Sequence, residues 1–160
     1  MDLARLFASD WWVMLFEPMI ELRFCDVFSL VCARAELKDK LEEKTMSLSK
    51  NDHVFLDGFI SKDEISQWYA LKDVYIHNSN SEGHCVSILQ TMSCGLPVLS
   101  TDVGGTSETL PQDWVYSADD PLDLKHKLRW FFGLSLEERS KIGKKNREKT
   151  EEDFDLTKQT

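Results

Sequence analysis

The chain has 160 residues, 42% hydrophobic and 29% charged, the profile of a soluble globular protein with material for one ordinary core and not comfortably two. A formal net charge of −9 repels nucleic-acid phosphate and anionic bilayers, which argues against nucleic acid as a partner while leaving room for a small anion in one local pocket. The four cysteines, Cys25, Cys32, Cys85 and Cys94, form no C-x-x-C pair and no Cys/His cluster of zinc spacing, so reduced thiols and no metal are expected.

Residues 11–24 read as a helix, with Trp11, Met14, Leu15, Met19 and Leu22 at three- and four-residue spacing and Pro18 kinking or restarting it. The apolar run Trp11–Phe16 is stopped by Glu17 and Pro18, far short of the ~18 apolar residues of a membrane span. It also lacks a basic leader and a cleavage site, so no signal peptide is read, and the cytosol or the cytosolic face of a membrane is the expected location. Val27–Cys32 is a strand. Residues 35–48 are charged and helical, with Leu37, Leu41 and Met46 as the inner stripe. His53–Leu56 is a second strand, ended by Asp57-Gly58.

Ser61, with Glu64 three residues on, predicts a capping box. The helix it opens carries Ile65, Trp68, Tyr69 and Leu71, with Trp68 and Tyr69 in the core. Asp73–His77 is the third strand, residues 78–83 a polar loop, and Val86–Ser93 a helix stopped at Gly95. Pro97–Thr101 is the fourth strand, broken off at Gly104-Gly105, and Trp114–Tyr116 a short last one. Asp120-Pro121 opens a helix to Phe132, and Ser135 opens a final one to Glu152, whose basic run Lys141–Lys149 is a solvated face.

Strands alternating with helical crossovers imply an α/β fold: a single Rossmann-like domain with a parallel sheet and helices on both faces. It is placed at residues 13–154, with 1–12 an N-terminal extension and 155–160 a tail. Such sheets bind ligands at the carboxyl ends of their strands, which singles out the loops at 57–61, 78–86 and 101–106.

The most informative stretch is 78–108. A polar loop delivers Ser81-Glu82-Gly83 directly into a helix, whose free N–H groups and dipole suit a phosphate. Gly83 permits close approach of a ligand to the backbone. Gln90 lies two turns on, and Gly95-Leu96-Pro97 launches the strand that leads to Gly104-Gly105 and Glu108. Taken singly, Glu82 could be only a helix-initiating acid, Gln90 a solvated residue and Gly104-Gly105 a plain turn. His84 and Cys85 are adjacent, which is poor geometry for a nucleophile pair.

The run Ser81-Glu82-Gly83-His84-Cys85-Val86-Ser87-Ile88-Leu89-Gln90-Thr91-Met92-Ser93-Cys94-Gly95-Leu96-Pro97-Val98 resembles the donor-binding domain of retaining GT-B glycosyltransferases, glycosyl transferases group 1. Ser100–Glu108, Val54–Ser61 and Trp68–Val74 are similar to the same family, and the likeness covers residues 13–154. It implies the C-terminal half of a GT-B fold, a nucleotide-diphosphate sugar as donor, retention of anomeric configuration, and no metal or other cofactor. Carried over residue by residue, Glu82 contacts hydroxyls of the transferred sugar, and the amides of Gly83, His84, Cys85 and Val86 lie against sugar and diphosphate. Gln90 holds the ribose hydroxyls, and Phe59 and Ile60 border the base. An N-terminal acceptor domain is expected outside the chain. Peripheral membrane association of the complete enzyme is expected, as is self-association through an apolar edge with Trp11 and Trp12.

Three departures qualify the resemblance. Gln90 stands where the family has a second Glu, which forfeits a charge-assisted bond about twice as strong. Cys32-Ala33-Arg34-Ala35-Glu36 stands where the family has a glycine-rich turn. The family's Arg and Lys diphosphate clamp has no counterpart in residues 1–12, which hold only Arg5. The alternative these departures favour is a degenerate, non-catalytic domain serving protein interaction or regulation. Two charged hydrogen bonds contribute about 3–6 kcal/mol, roughly two to four decades of affinity, against about 2 kcal/mol from a helix terminus. The chain alone is therefore expected to bind a nucleotide sugar weakly, and low-micromolar affinity in an isothermal titration would contradict this.

Overall fold

The structure, a computed structural model, describes residues 28–30, 43, 46, 54–57, 60–79, 86–118 and 120–154. All its strand pairs are parallel. β1 (Phe28–Leu30) pairs with β2 (Val54–Leu56), Phe28 opposite Val54. A second ladder runs β3 (Tyr75–His77), β4 (Val98–Thr101), β5 (Val115–Tyr116) in spatial order. Tyr75 faces Val98 and Ser100 faces Val115. Parallel neighbours cannot be joined by a hairpin. Helix α1 (Ile65–Ala70) precedes β3, and α2 (Val86–Ser93) carries the chain from β3 to β4. The shorter return to β5 uses α3 (Thr106–Thr109) and a 3₁₀ turn at Gln112–Trp114. Two long helices follow, α4 (Pro121–Gly133) and α5 (Leu136–Asp153). The expected α/β class with a parallel sheet is the one observed.

Every residue of β4 is buried, as a central parallel strand requires. Around it pack Ile88 and Met92 of α2, Trp114, Val115 and Tyr116, and Leu124, Leu128, Phe131 and Phe132 of α4. The α4 set falls at i, i+4, i+7 and i+8, a single stripe, and each such side chain contributes about 1.5–3 kcal/mol on burial. Asp120 caps α4 by accepting from the Leu122 and Asp123 amides. Ser135 and Glu138 form a complete capping box at the start of α5. The outer face of α5 is solvated as expected, with Lys141, Lys144, Arg147 and Lys149 each paired to an acid one turn away.

Three expectations need correction. The capping box at Ser61 does not form. Its hydroxyl donates to the Glu64 carboxylate, and its backbone carbonyl accepts from the Glu64 and Ile65 amides. Glu64 is already in the right-handed region and stands as N-cap without a side-chain bond. Met46 is helical but 63% exposed, not part of an inner stripe. Tyr69 is buried as expected, but Trp68 is only half-buried. Its indole N–H donates to Asp57 at 2.7 Å, and the Lys72 ammonium lies 4.5 Å from its ring centroid. The predicted helix at 11–24, most of 35–48, and the edge with Trp11 and Trp12 lie outside the described residues.

The sharpest packing constraint lies where α2 ends. Gly95 adopts φ +74°, its amide bonds the Met92 carbonyl, and the Leu96 amide bonds the Thr91 carbonyl, a Schellman closure. Helix α5 packs against α2 and its end. The buried Asn146 side-chain amide donates to the Leu96 carbonyl at 3.0 Å. A Cβ on Gly143 would lie 1.9 Å from the Gly95 carbonyl oxygen. In an exposed helix interior, Gly→Ala stabilises by about 1 kcal/mol. Here the sign reverses. Gly143→Ala is expected to lower stability by about 1–3 kcal/mol, read as a lower denaturant midpoint at unchanged m-value.

Candidate functional site

The carboxyl ends of β3 and β4 and the start of α2 come together on one edge of the three-stranded sheet. β3 ends at His77 and the chain leaves through Asn78 and Ser79. β4 ends at Thr101, whose hydroxyl donates to the Ser79 carbonyl at 2.6 Å and accepts from the Ser79 amide at 3.1 Å. The Tyr75 hydroxyl donates to Ser87 Oγ, in the first turn of α2, at 3.3 Å. It also lies 3.5 Å from His77 Nδ1, with the two rings stacked.

Beyond β4, the Asp102 amide bonds the Tyr116 carbonyl at 2.8 Å, which carries the parallel ladder one step further. The chain then turns sharply. The Val103 amide reaches back to the Thr101 carbonyl, Gly104 takes φ +57°, and Thr106 closes the turn with both amide and hydroxyl on the Val103 carbonyl. Of the glycine pair, only Gly104 uses the left-handed region. Glu108, on the four-residue α3, is exposed.

Helix α2 sorts its residues cleanly. Ile88, Thr91 and Met92 face the core, while Val86, 61% exposed, and Gln90 share the open face one turn apart. Residues 80–85, which lead into α2, lie outside the described residues. Ile60 is half-buried at the foot of the segment that precedes α1. Of the remaining expected site residues, Glu82, Gly83, His84, Cys85 and Phe59 lie outside the described residues. Among the described residues no three His, Cys, Asp or Glu side chains gather as a metal would need, and no helix is long and apolar enough to cross a membrane.

Sequence reasoning singled out the loops that hold Ser79 and Thr101 without naming either as a site residue, and it missed Tyr75 and Tyr116. The available signal was a pair of hydroxyl residues, Ser100 and Thr101, closing an otherwise apolar central strand. Tyr116 supports the site from below, its hydroxyl donating to the His77 carbonyl at 3.2 Å. Burial pushes its phenol far above the ordinary tyrosine range, and the neighbouring Tyr75 adds to the rise.

A model of the family glycosyl transferases group 1 matches residues 17–149. The chain belongs to that family. Among characterised relatives, it is similar to a phosphatidylinositol N-acetylglucosaminyltransferase subunit of Arabidopsis thaliana, 35% identical over 53% of this chain and 19% of that protein. It is also similar to the sulfoquinovosyl transferase SQD2 of the same plant, 37% identical over 59% of this chain and 19% of that protein. The chain spans about a fifth of the length of these relatives. In three dimensions it matches Anabaena HepE, crystallised with UDP-glucose, at a TM-score of 0.76 and 19% identity. That match covers 94% of this chain and 43% of HepE, and it shows the α/β fold shared with GT-B glycosyltransferases.

The buried Tyr116 phenol has a measurable consequence. Its stabilising contribution is whole below the unfolded tyrosine pKa of about 10 and is lost as pH climbs from there toward the folded value. Absorbance at 295 nm is expected to show one of the three tyrosines ionising only as the circular dichroism signal collapses. Tyr116→Phe should remove that delayed step, and an unchanged profile in the variant would contradict the assignment.

Proposed function

We propose that this chain is the donor-binding half of a GT-B glycosyltransferase that moves a sugar from a nucleotide-diphosphate sugar with retention of configuration. The observation that carries the reading is the mouth of α2. Where β3 ends, the Thr101 hydroxyl of β4 holds both backbone groups of Ser79, and α2, the next described helix, keeps Val86 and Gln90 on its open face. A diphosphate seated there gains up to about 2 kcal/mol from the helix terminus and about 1.5–3 kcal/mol from each charged hydrogen bond.

The residues take the roles that family membership supports. Glu82 meets the hydroxyls of the transferred sugar, and the amides of Gly83, His84, Cys85 and Val86 meet sugar and diphosphate. Gln90 stands on the open face of α2 one turn beyond Val86, within reach of a ribose, and Phe59 and Ile60 border the base. The second half of the cleft, which would hold the acceptor, comes from an N-terminal acceptor domain outside these 160 residues. The 43% of HepE over which the chain aligns supports that division. The complete enzyme would work in the cytosol or against the cytosolic face of a membrane, and the transfer requires no metal. The UDP-glucose held by HepE supports a nucleotide sugar as the donor class and supplies the probe.

The test is an amide-resolved NMR titration of the chain with UDP-glucose. Saturable shifts are expected at Val86–Ile88 and at the 102–106 turn, diminished in Glu82→Ala. Shifts scattered over the surface, or none at millimolar ligand, would overturn the proposal.

A further inference from the structure

We propose that Thr101 is a positioning residue for the donor site, an inference that rests on the nucleotide-sugar reading and adds to it a side chain that touches no donor atom. Thr101 closes β4 and is fully buried, where a strand-forming Val would fill the space equally well. What Val could not supply is the hydroxyl. A threonine hydroxyl has one proton to give and lone pairs to receive. Here the proton goes to the Ser79 carbonyl at 2.6 Å, and the oxygen receives the Ser79 amide at 3.1 Å. Both backbone groups of one residue, 22 positions away, are thus held by a single side-chain atom.

The geometry continues the sheet by other means. Backbone pairing of β3 with β4 ends at His77 opposite Ser100. One step later the chain leaves the ladder to cross toward α2, and there the Thr101 side chain holds Ser79. Holding donor and acceptor of the same residue fixes both where Ser79 sits and how it is turned. Ser79 lies three residues before Glu82 and seven before Val86 in sequence. The hydroxyl therefore sets the point from which the chain departs toward the mouth of α2, on the edge where the donor is proposed to bind.

Thr101→Val and Thr101→Ser separate this role from simple core filling. The Val variant keeps the bulk and loses the hydroxyl, and the Ser variant does the reverse. UDP-glucose affinity, normalised to the folded fraction, is expected to fall about tenfold in Thr101→Val, the scale of one lost hydrogen bond. Thr101→Ser is expected to retain most of the affinity despite its missing methyl. Hydrogen exchange of the Ser79 amide gives a ligand-free readout, accelerated in the Val variant and protected in the Ser variant. Wild-type binding left intact by Thr101→Val would overturn the positioning role and spare the donor reading. Equal loss in both variants would also overturn it, since packing alone would then explain the effect. No UDP-glucose binding by the wild-type chain would sink the donor reading and the positioning role together, even with Ser79 exchange still separating the variants.

Discussion

β3 and β4 lie side by side and point the same way, and most of the molecule follows from that. A chain that finishes one parallel strand must leave the sheet at its carboxyl edge, cross a face and come back to the opposite edge. Here the crossing is made by α2, with Gly95 turning the chain back into β4. The outward journey leaves polar backbone at the carboxyl edge with no strand to pair with. Thr101 holds part of it, the amide and carbonyl of Ser79. The polar character of this edge is thus the residue of a topological necessity.

The same reasoning explains what could be read from the sequence. The end of α2 was legible because Gly95 closes a Schellman motif, a local signal with a local cause. Asp120 before Pro121 marked the start of α4 for the same kind of reason. The pattern Ser-x-x-Glu occurs at both Ser61 and Ser135, yet only the second becomes a capping box. Ser135 stands in extended backbone with its hydroxyl free to accept, whereas the turn at Ser61 is already wound and its carbonyl has taken the amides. Four letters do not carry that difference, because it depends on how the chain arrives.

The candidate site was legible in part. Val86 and Gln90 were picked from a family motif, and the structure sets them on one open face of α2. The loop that begins at Thr101 was singled out, but the work of its hydroxyl was not legible, since its partner is 22 residues away and the bond is meaningful only once two strands are adjacent. Tyr116 was hidden for a similar reason, its hydroxyl reaching His77 across 39 residues. Contacts of that span are products of tertiary structure, and propensity or spacing contains no trace of them. Met46 shows the opposite error, in which a plausible apolar residue was added to a stripe whose period it breaks.

The backbone contact between Gly143 and Gly95 bears on how this domain can be trimmed. To the eye, α5 is a charged appendage trailing from the last core helix, and residue 134 looks like a natural place to cut. Yet its inner side supplies Asn146 to the Leu96 carbonyl and lays Gly143 against the very turn that reverses the chain into the central strand. Excision at residue 134 would strip the packing from the carboxyl-terminal end of α2 and from the turn into β4, so a trimmed domain must keep α5 at least through Asn146.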